Sequence, residues 1–174
     1  ARDPGFSLAE LVAARHVLAF ARTYDNDHAG GIAELDALAA ELRQRSVGGP
    51  LLAETLRRKA VVLSALKRFE DAAAIYLAIL ADEERAGRKT SALASATLNG
   101  LAVVRARQGR YDEGEALGRR ATAIGLVAAG ARPLDIGDAW RTWVTLLGLA
   151  GKSHETIVEA QKSLRYNEKH LGEG

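Results

Sequence analysis

Apolar residues recur along this chain at helical spacing. Leu8, Leu11, Val12 and Leu18 form one such run and Leu56, Ala60, Leu63 and Leu66 another, as expected of helices that bury one face. Breaker residues cluster at Asp25 to Gly31, Ser46 to Pro50, Ala86-Gly87-Arg88, and Gly130 to Pro133 with Gly137. Shorter polar turns at Lys67-Arg68, Gln108-Gly109-Arg110 and Gly151-Lys152-Ser153 divide the long segments again. The pattern predicts about eight helices paired as hairpins. Start signals agree: Ser7-Leu8-Ala9-Glu10 has the form of a capping box, and Pro50 and Pro133 suit the first turn of a helix.

The hairpins repeat. Phe69, Tyr111 and Ser153 follow the three short turns, and 111 − 69 and 153 − 111 are both 42. The same step relates Leu56, Leu98 and Trp140, then Ala60, Ala102 and Val144, then Val62, Val104 and Leu146. It also relates basic residues at the turn, Arg68, Arg110 and Lys152, and acidic ones just after it, Asp71, Glu113 and Glu155. A fixed period of this length marks stacked supersecondary units. The acidic ladder has a local cause, because a carboxylate in the first turn of a helix offsets the positive end of its dipole by about 0.3 to 1 kcal/mol. Ala60 and Ala102, facing Ala72 and Gly114, are expected to let antiparallel helices approach closely while Phe69 or Tyr111 wedges between neighbouring pairs. The first pair, Leu8 to Thr23 and Ile32 to Gln44, has Asp27 and Gly30 at the aromatic and small places and reads as a degenerate first repeat.

Composition narrows the function classes. With 174 residues, 48% hydrophobic and 26% charged, the chain can bury a substantial core, and one compact domain over 1–174 is expected. Aromatics at 5% favour closely packed helices over a β-sandwich. The balance of 24 basic against 22 acidic side chains, without a run of five like charges, weakens an electrostatic case for nucleic acid or anionic lipid. The absence of cysteine excludes disulfides, thiolate metal sites and a thiol nucleophile. No apolar stretch is long enough for a membrane span, and Ala1-Arg2-Asp3-Pro4-Gly5 lacks the apolar core of a signal peptide, so a soluble, cytoplasmic chain is expected. The lack of any methionine, even at residue 1, suggests a processed product or a segment of a longer protein.

The segment Leu98-Asn99-Gly100-Leu101-Ala102, followed by Gln108-Gly109-Arg110-Tyr111-Asp112-Glu113-Gly114-Glu115-Ala116-Leu117 and Arg119-Arg120-Ala121, resembles a tetratricopeptide repeat of the long, kinesin-light-chain-like variety. Lys67-Arg68-Phe69-Glu70-Asp71-Ala72 is similar to a second copy, and Gly151-Lys152-Ser153-His154-Glu155, with Trp140 upstream, to a third. Gly114 in place of alanine, Ser153 in place of an aromatic and Arg105 on a usually apolar face depart from the pattern. The resemblance implies an all-α fold, an α-solenoid wound as a right-handed superhelix of about four helix hairpins: a degenerate pair at 7–46 and repeats at about 50–87, 90–130 and 133–170. It also implies a concave groove for an extended peptide or a partner's helix. The groove-facing places fall at Arg57, Asn99 and Arg141, and one turn later at Val61, Val103 and Thr145. An asparagine there pairs with a ligand's backbone through both donor and acceptor, and the flanking arginines hold a carboxylate or phosphate, which favours an acidic partner.

Other motifs point to chemistry less well. Gly151-Lys152-Ser153 lacks the glycine at 146 and the preceding strand of a phosphate loop, and His154-Glu155-Thr156-Ile157-Val158 lacks the second histidine of a zincin helix. Asp25 to Asp36 follows the spacing of a calcium loop, but Ala29 offers no side-chain oxygen and Asp36 stands where a bidentate glutamate is needed. The four histidines, His16, His28, His154 and His170, fall in different segments. Trp140 and Trp143, with Leu146 and Leu147, form an apolar stripe of the kind that packs between repeats. The expected role is a non-enzymatic protein- or peptide-binding scaffold without a cofactor, serving a larger bacterial signalling or defence protein. Two alternatives stand beside it: polyanion binding along Arg68, Arg110 and Lys152 with Arg119 and Arg120, and sensing of a small molecule on the inner surface.

Overall fold

The computed structural model of the protein describes residues 7–172. The start Ala1 to Gly5, read above for a leader's apolar core, lies outside the described residues. Among these residues the structure is all-α, with eight helices: α1 (Leu8–Tyr24), α2 (His28–Gln44), α3 (Pro50–Ala65), α4 (Phe69–Arg85), α5 (Ala92–Arg107), α6 (Tyr111–Gly125), α7 (Pro133–Leu149) and α8 (Ser153–Leu171). The chain divides into two compact units, Ala1–Ile75 and Tyr76–Gly174.

Local chemistry fixes the boundaries. Ser7 and Glu10 form the capping box expected of α1, with the Ser7 N–H donating to Glu10 Oε2 at 2.8 Å and the Glu10 N–H to Ser7 Oγ at 3.3 Å. Pro50 and Pro133 open α3 and α7. Each hairpin turn needs one residue in left-handed backbone: Asn26 (φ 64°), Lys67 (φ 62°), Gly109 (φ 77°) and Gly151 (φ 74°). Glycine adopts this conformation freely, whereas Lys67 holds it at a cost. Between α4 and α5 the buried Glu83 takes over the turn, accepting hydrogen bonds from Arg88 Nη2 at 2.7 Å and Ser91 Oγ at 2.6 Å. Burial pushes the Glu83 pKa up, but these two bonds and the Arg88 charge outweigh it, and the carboxyl sits below its ordinary range.

The left-handed residues correct the register of the first repeat. From Asn26 to Lys67 the step is 67 − 26 = 41, one residue shorter than the later steps. Counted that way, His28 and Gly31 take the places assigned above to Asp27 and Gly30. Asp27 instead caps α2, its Oδ1 accepting from the Gly30 N–H at 2.8 Å. The breaker reading of Gly30 and Gly31 fails for the same reason: both lie inside α2, and Gly31 is small because a Cβ there would lie 2.9 Å from the Ala19 carbonyl oxygen. Gly114 has the same relation to Ala102 across the α5–α6 hairpin, at 3.0 Å. Ala60 and Ala72 hold the equivalent places in the second repeat, both fully buried. Gly137, also grouped with the breakers, lies within α7, where a Cβ would come 2.6 Å from Asn167 Oδ1 of α8.

Around these approaches the units build their cores. In the first, Val12, Leu38 and Leu42 form one buried cluster and Ala19, Leu35 and Val62 another. In the second, Leu98, Ala121, Ile124 and Ala139 cluster, while Trp140 is buried with its ring 5.7 Å from that of Tyr166. Full burial of a side chain of leucine size contributes about 1.5–3 kcal/mol.

One polar group enters the first core. His16 of α1 is buried, and its Nε2 lies 2.9 Å from Thr55 Oγ1 of α3. The Thr55 hydroxyl gives its proton to the Leu51 carbonyl at 2.8 Å, so the Thr55 oxygen accepts and Nε2 carries the proton. Burial holds the His16 pKa below its ordinary value; Arg58 adds to the effect, Glu54 opposes it and Arg57 adds to it again.

Two measurements follow. Gly31→Ala should destabilise the protein by about 1 kcal/mol in urea denaturation, because overpacking outweighs the helix-propensity gain. Gly148→Ala, where a Cβ meets only Thr156 at 3.8 Å or more, should stabilise it instead; a gain of about 0.5–1 kcal/mol is expected, and equal effects at both sites would refute the close-approach account. His16 contributes stability that is complete above the unfolded histidine pKa of about 6.5 and is lost as pH falls from there toward its lower folded value. The melting temperature should therefore fall between about pH 7.5 and about pH 5.5, a window above the titration of the carboxylates, and His16→Gln should flatten that fall.

Candidate ligand-binding groove

The structure distributes the six residues expected to face a groove over three helices. Arg57 and Val61 lie on α3 in the first unit; Asn99 and Val103 lie on α5, and Arg141 and Thr145 on α7, in the second. Three of them meet: Val103, Arg141 and Thr145 line an open cleft of about 350 Å³ with Ala106, Arg107, Tyr111, Thr142, Leu146 and Leu149. Asn99 stands one helical turn before Val103, and its Oδ1 is buried without a hydrogen-bond partner.

The cleft lining combines apolar side chains with two arginines, Arg107 and Arg141. Leu149 is exposed, and so is Tyr111 at 40%. Tyr111 stands among residues of α5 and α7, between neighbouring pairs as expected, with part of its surface open to the cleft. Glycines let α6 and α7 approach closely: a Cβ on Gly118 would sit 3.2 Å from the Cα of Trp143, and one on Gly114 3.4 Å from Leu146. The tyrosine ring forms part of the cleft lining beside the α6–α7 seam.

The arginines are not equivalent. Arg57 makes a two-point contact with Glu54 of its own helix at 2.7 and 2.8 Å, and Arg141 pairs with Asp138 at 2.9 Å. Burial raises the Glu54 pKa, but Arg57 and Arg58 outweigh it and hold the carboxyl below its ordinary value. Arg107 has no hydrogen-bond or ion-pair partner among the described residues. Sequence reasoning passed over Arg107, although it stands one turn beyond Val103 and 42 residues before Leu149.

The basic ladder is neutralised from within. Arg68 pairs with Asp71 at 2.7 Å and Arg110 grips Glu113 through two contacts of 2.7 Å. Lys152 breaks the pattern by reaching Glu115 of α6 at 2.9 Å rather than Glu155. Glu115 is buried and also accepts from Trp143 Nε1 at 2.9 Å. Burial pushes its pKa up, but Lys152 and the indole N–H overcome this and leave it ionised below the ordinary range. Trp143 packs between repeats as expected of the tryptophan stripe.

The calcium-loop reading of Asp25 to Asp36 does not survive. From His28 onward the stretch is α2, so its ligand positions point around a helix instead of converging, and Asp36 is held by Lys59 at 2.6 Å. Among the described residues no group of three or more His, Cys, Asp or Glu is placed to hold a metal ion. Among the same residues no helix is long and apolar enough to cross a membrane.

Comparison with known proteins agrees with this geometry. The tetratricopeptide-repeat family model matches residues 51–126. No curated protein sequence matches the chain. The crystal structure of BtubC (BKLC) from P. vanneervenii is similar over 99% of this chain and 69% of its own, with a TM-score of 0.78 at 16% identity. Two crystal structures of a kinesin light chain of nearly identical TPR-like repeats from Podosopora anserina are similar as well. The one that carries a point substitution gives a TM-score of 0.66 at 14% identity, over 93% of this chain and 77% of that one. The other gives 0.63 at 15% identity, over 91% and 75%. Turns, hairpins and the family match at residues 51–126 show tetratricopeptide repeats within this chain, in an all-α solenoid fold similar to that of kinesin-light-chain-like repeats; repeats of this kind generally mediate protein–protein interaction.

Proposed function

We propose that this protein is a non-catalytic scaffold that binds an extended, acidic peptide segment of a partner, as the recruiting or regulatory domain of a larger cytoplasmic, bacterial protein. The observation that carries the reading is the cleft whose lining includes Val103, Tyr111 and Leu149 together with Arg107 and Arg141. An unpaired guanidinium beside an exposed aromatic ring suits a ligand that offers an apolar side chain and a carboxylate together. Asn99 adds an acceptor still in want of a donor, which a peptide N–H supplies. Arg57 and Val61 hold the corresponding repeat places on α3 of the first unit, and the reading counts them as ligand contacts of that unit.

Polyanion binding along the ladder is the weaker reading, because Arg68, Arg110 and Lys152 already have carboxylate partners. Phosphate contacts there would compete with existing ion pairs.

Selection from a displayed random-peptide library tests the proposal. Wild-type protein should enrich peptides that place acidic residues beside a large apolar one. Arg107→Ala with Arg141→Ala should weaken the selected peptides by about tenfold or more, equivalent to about 1.4 kcal/mol. Asn99→Ala should weaken them regardless of their sequence. Unchanged affinity in the double arginine variant would remove the cleft from consideration.

A further inference from the structure

Residues of α4, α5 and α6 within the second unit line a cavity of about 290 Å³, and none of them belongs to the peptide cleft. Leu77 and Leu80 of α4, Leu98 and Leu101 of α5 and Leu117 of α6 make most of its lining apolar. Leu98 and Leu101 are buried, and Leu80 and Leu117 pack against the core cluster of Leu98, whereas Leu77 is 49% exposed. The lining therefore runs from the core of the unit to its surface.

Three charged side chains share this lining: Glu84 on α4, Lys89 in the turn before α5, and Arg120 on α6. All three are exposed, and none has a hydrogen-bond or ion-pair partner among the described residues. The chain itself explains why Arg120 stays open. Where Arg68 and Arg110 each have an acid three residues on, Arg120 has only alanine, leucine and isoleucine three and four residues away. Two cations against one carboxylate leave the lining with a net charge of +1.

The next hairpin shows how the same place is completed from within. A step of 42 carries Ala94, Leu98 and Leu101 of the lining onto Ile136, Trp140 and Trp143, and Leu117 and Arg120 onto Glu159 and Lys162. Glu159 accepts a hydrogen bond from Trp140 Nε1 at 3.2 Å and pairs with Lys162 at 2.6 Å. That hairpin places larger side chains and an ion pair of its own where this one leaves apolar space and an unpaired cation. The missing piece is an apolar body joined to an anion.

We infer that the cavity binds a small amphipathic carboxylate, its apolar body seated among the leucines and its carboxylate held by Lys89 and Arg120. Charge selects the head group, because a guanidinium and an ammonium together favour a carboxylate over a cation or a neutral group. Volume selects the body: at about 30 Å³ for a group the size of a water molecule, the cavity takes about ten non-hydrogen atoms, as in an eight-carbon chain with its carboxylate. The site stands apart from the acidic-peptide reading, which uses other residues.

Calorimetric titration of the 174-residue protein with octanoate tests this. One equivalent should bind with a Kd below about 1 mM. Hexanoate should bind more weakly by about fourfold for each methylene removed, and octylamine, with the same chain and a cationic head, by about tenfold or more. Lys89→Ala with Arg120→Ala should weaken octanoate by about fivefold or more and erase its advantage over octylamine. Lys162→Ala, at the counterpart place that Glu159 neutralises, should bind octanoate as wild type does. Circular dichroism matching wild type verifies that each variant is folded; Lys89→Gln with Arg120→Gln replaces a double variant that is not. No saturable binding up to about 10 mM octanoate, the result for a face that a partner's helix covers instead, overturns the proposal. So does octylamine that matches octanoate, a double variant that binds octanoate like wild type, or a Lys162→Ala variant weakened as much as the double one.

Discussion

Everything in this fold depends on how closely paired helices can approach, and that is set where a small side chain meets a carbonyl. At Gly31 against Ala19, and at Gly114 against Ala102, a single added carbon would come within 3.0 Å of a backbone oxygen. Backbones this near leave room only for side chains at the edges of the crossing, where Leu35 and Leu98 close the cores.

Charge is handled locally. Arg57 with Glu54, Arg68 with Asp71, Arg110 with Glu113, Arg132 with Asp135 and Arg141 with Asp138 each pair three residues apart. Exposed pairs of this kind contribute about 0–1 kcal/mol, so they matter less for stability than for what they remove from the surface field. The cation that retains its full attraction is one without such a neighbour, as Arg107 is.

The helices, their hairpin pairing and the 42-residue step were legible in the sequence because they rest on short-range signals: prolines, capping residues, turn glycines and periodic apolar faces. The register of the first repeat was not, because one missing residue moves Gly31 into the place that simple counting gives to Gly30, and only the backbone of Asn26 reveals the shift. That Asn99 and Val103 fall on α5, and Arg141 and Thr145 on α7, could be counted from the repeat, whereas their side-chain partners could not. That Arg141 is engaged by Asp138 and Arg107 is left open depends on side-chain positions in space. The buried trio of His16, Glu83 and Glu115 was equally hidden, since a sequence does not announce that Thr55, Ser91 or Trp143 stands ready to satisfy each one.

The fit of Trp143 over Gly118 reaches beyond its own interface. A tryptophan at that place requires glycine opposite, and the lysine and leucine at its counterparts Lys59 and Leu101 carry no such requirement. The hairpins are therefore not interchangeable modules, although they share a period. Their order is written into matched pairs of side chains, and exchanging one hairpin for another would break the fit of Trp143 over Gly118.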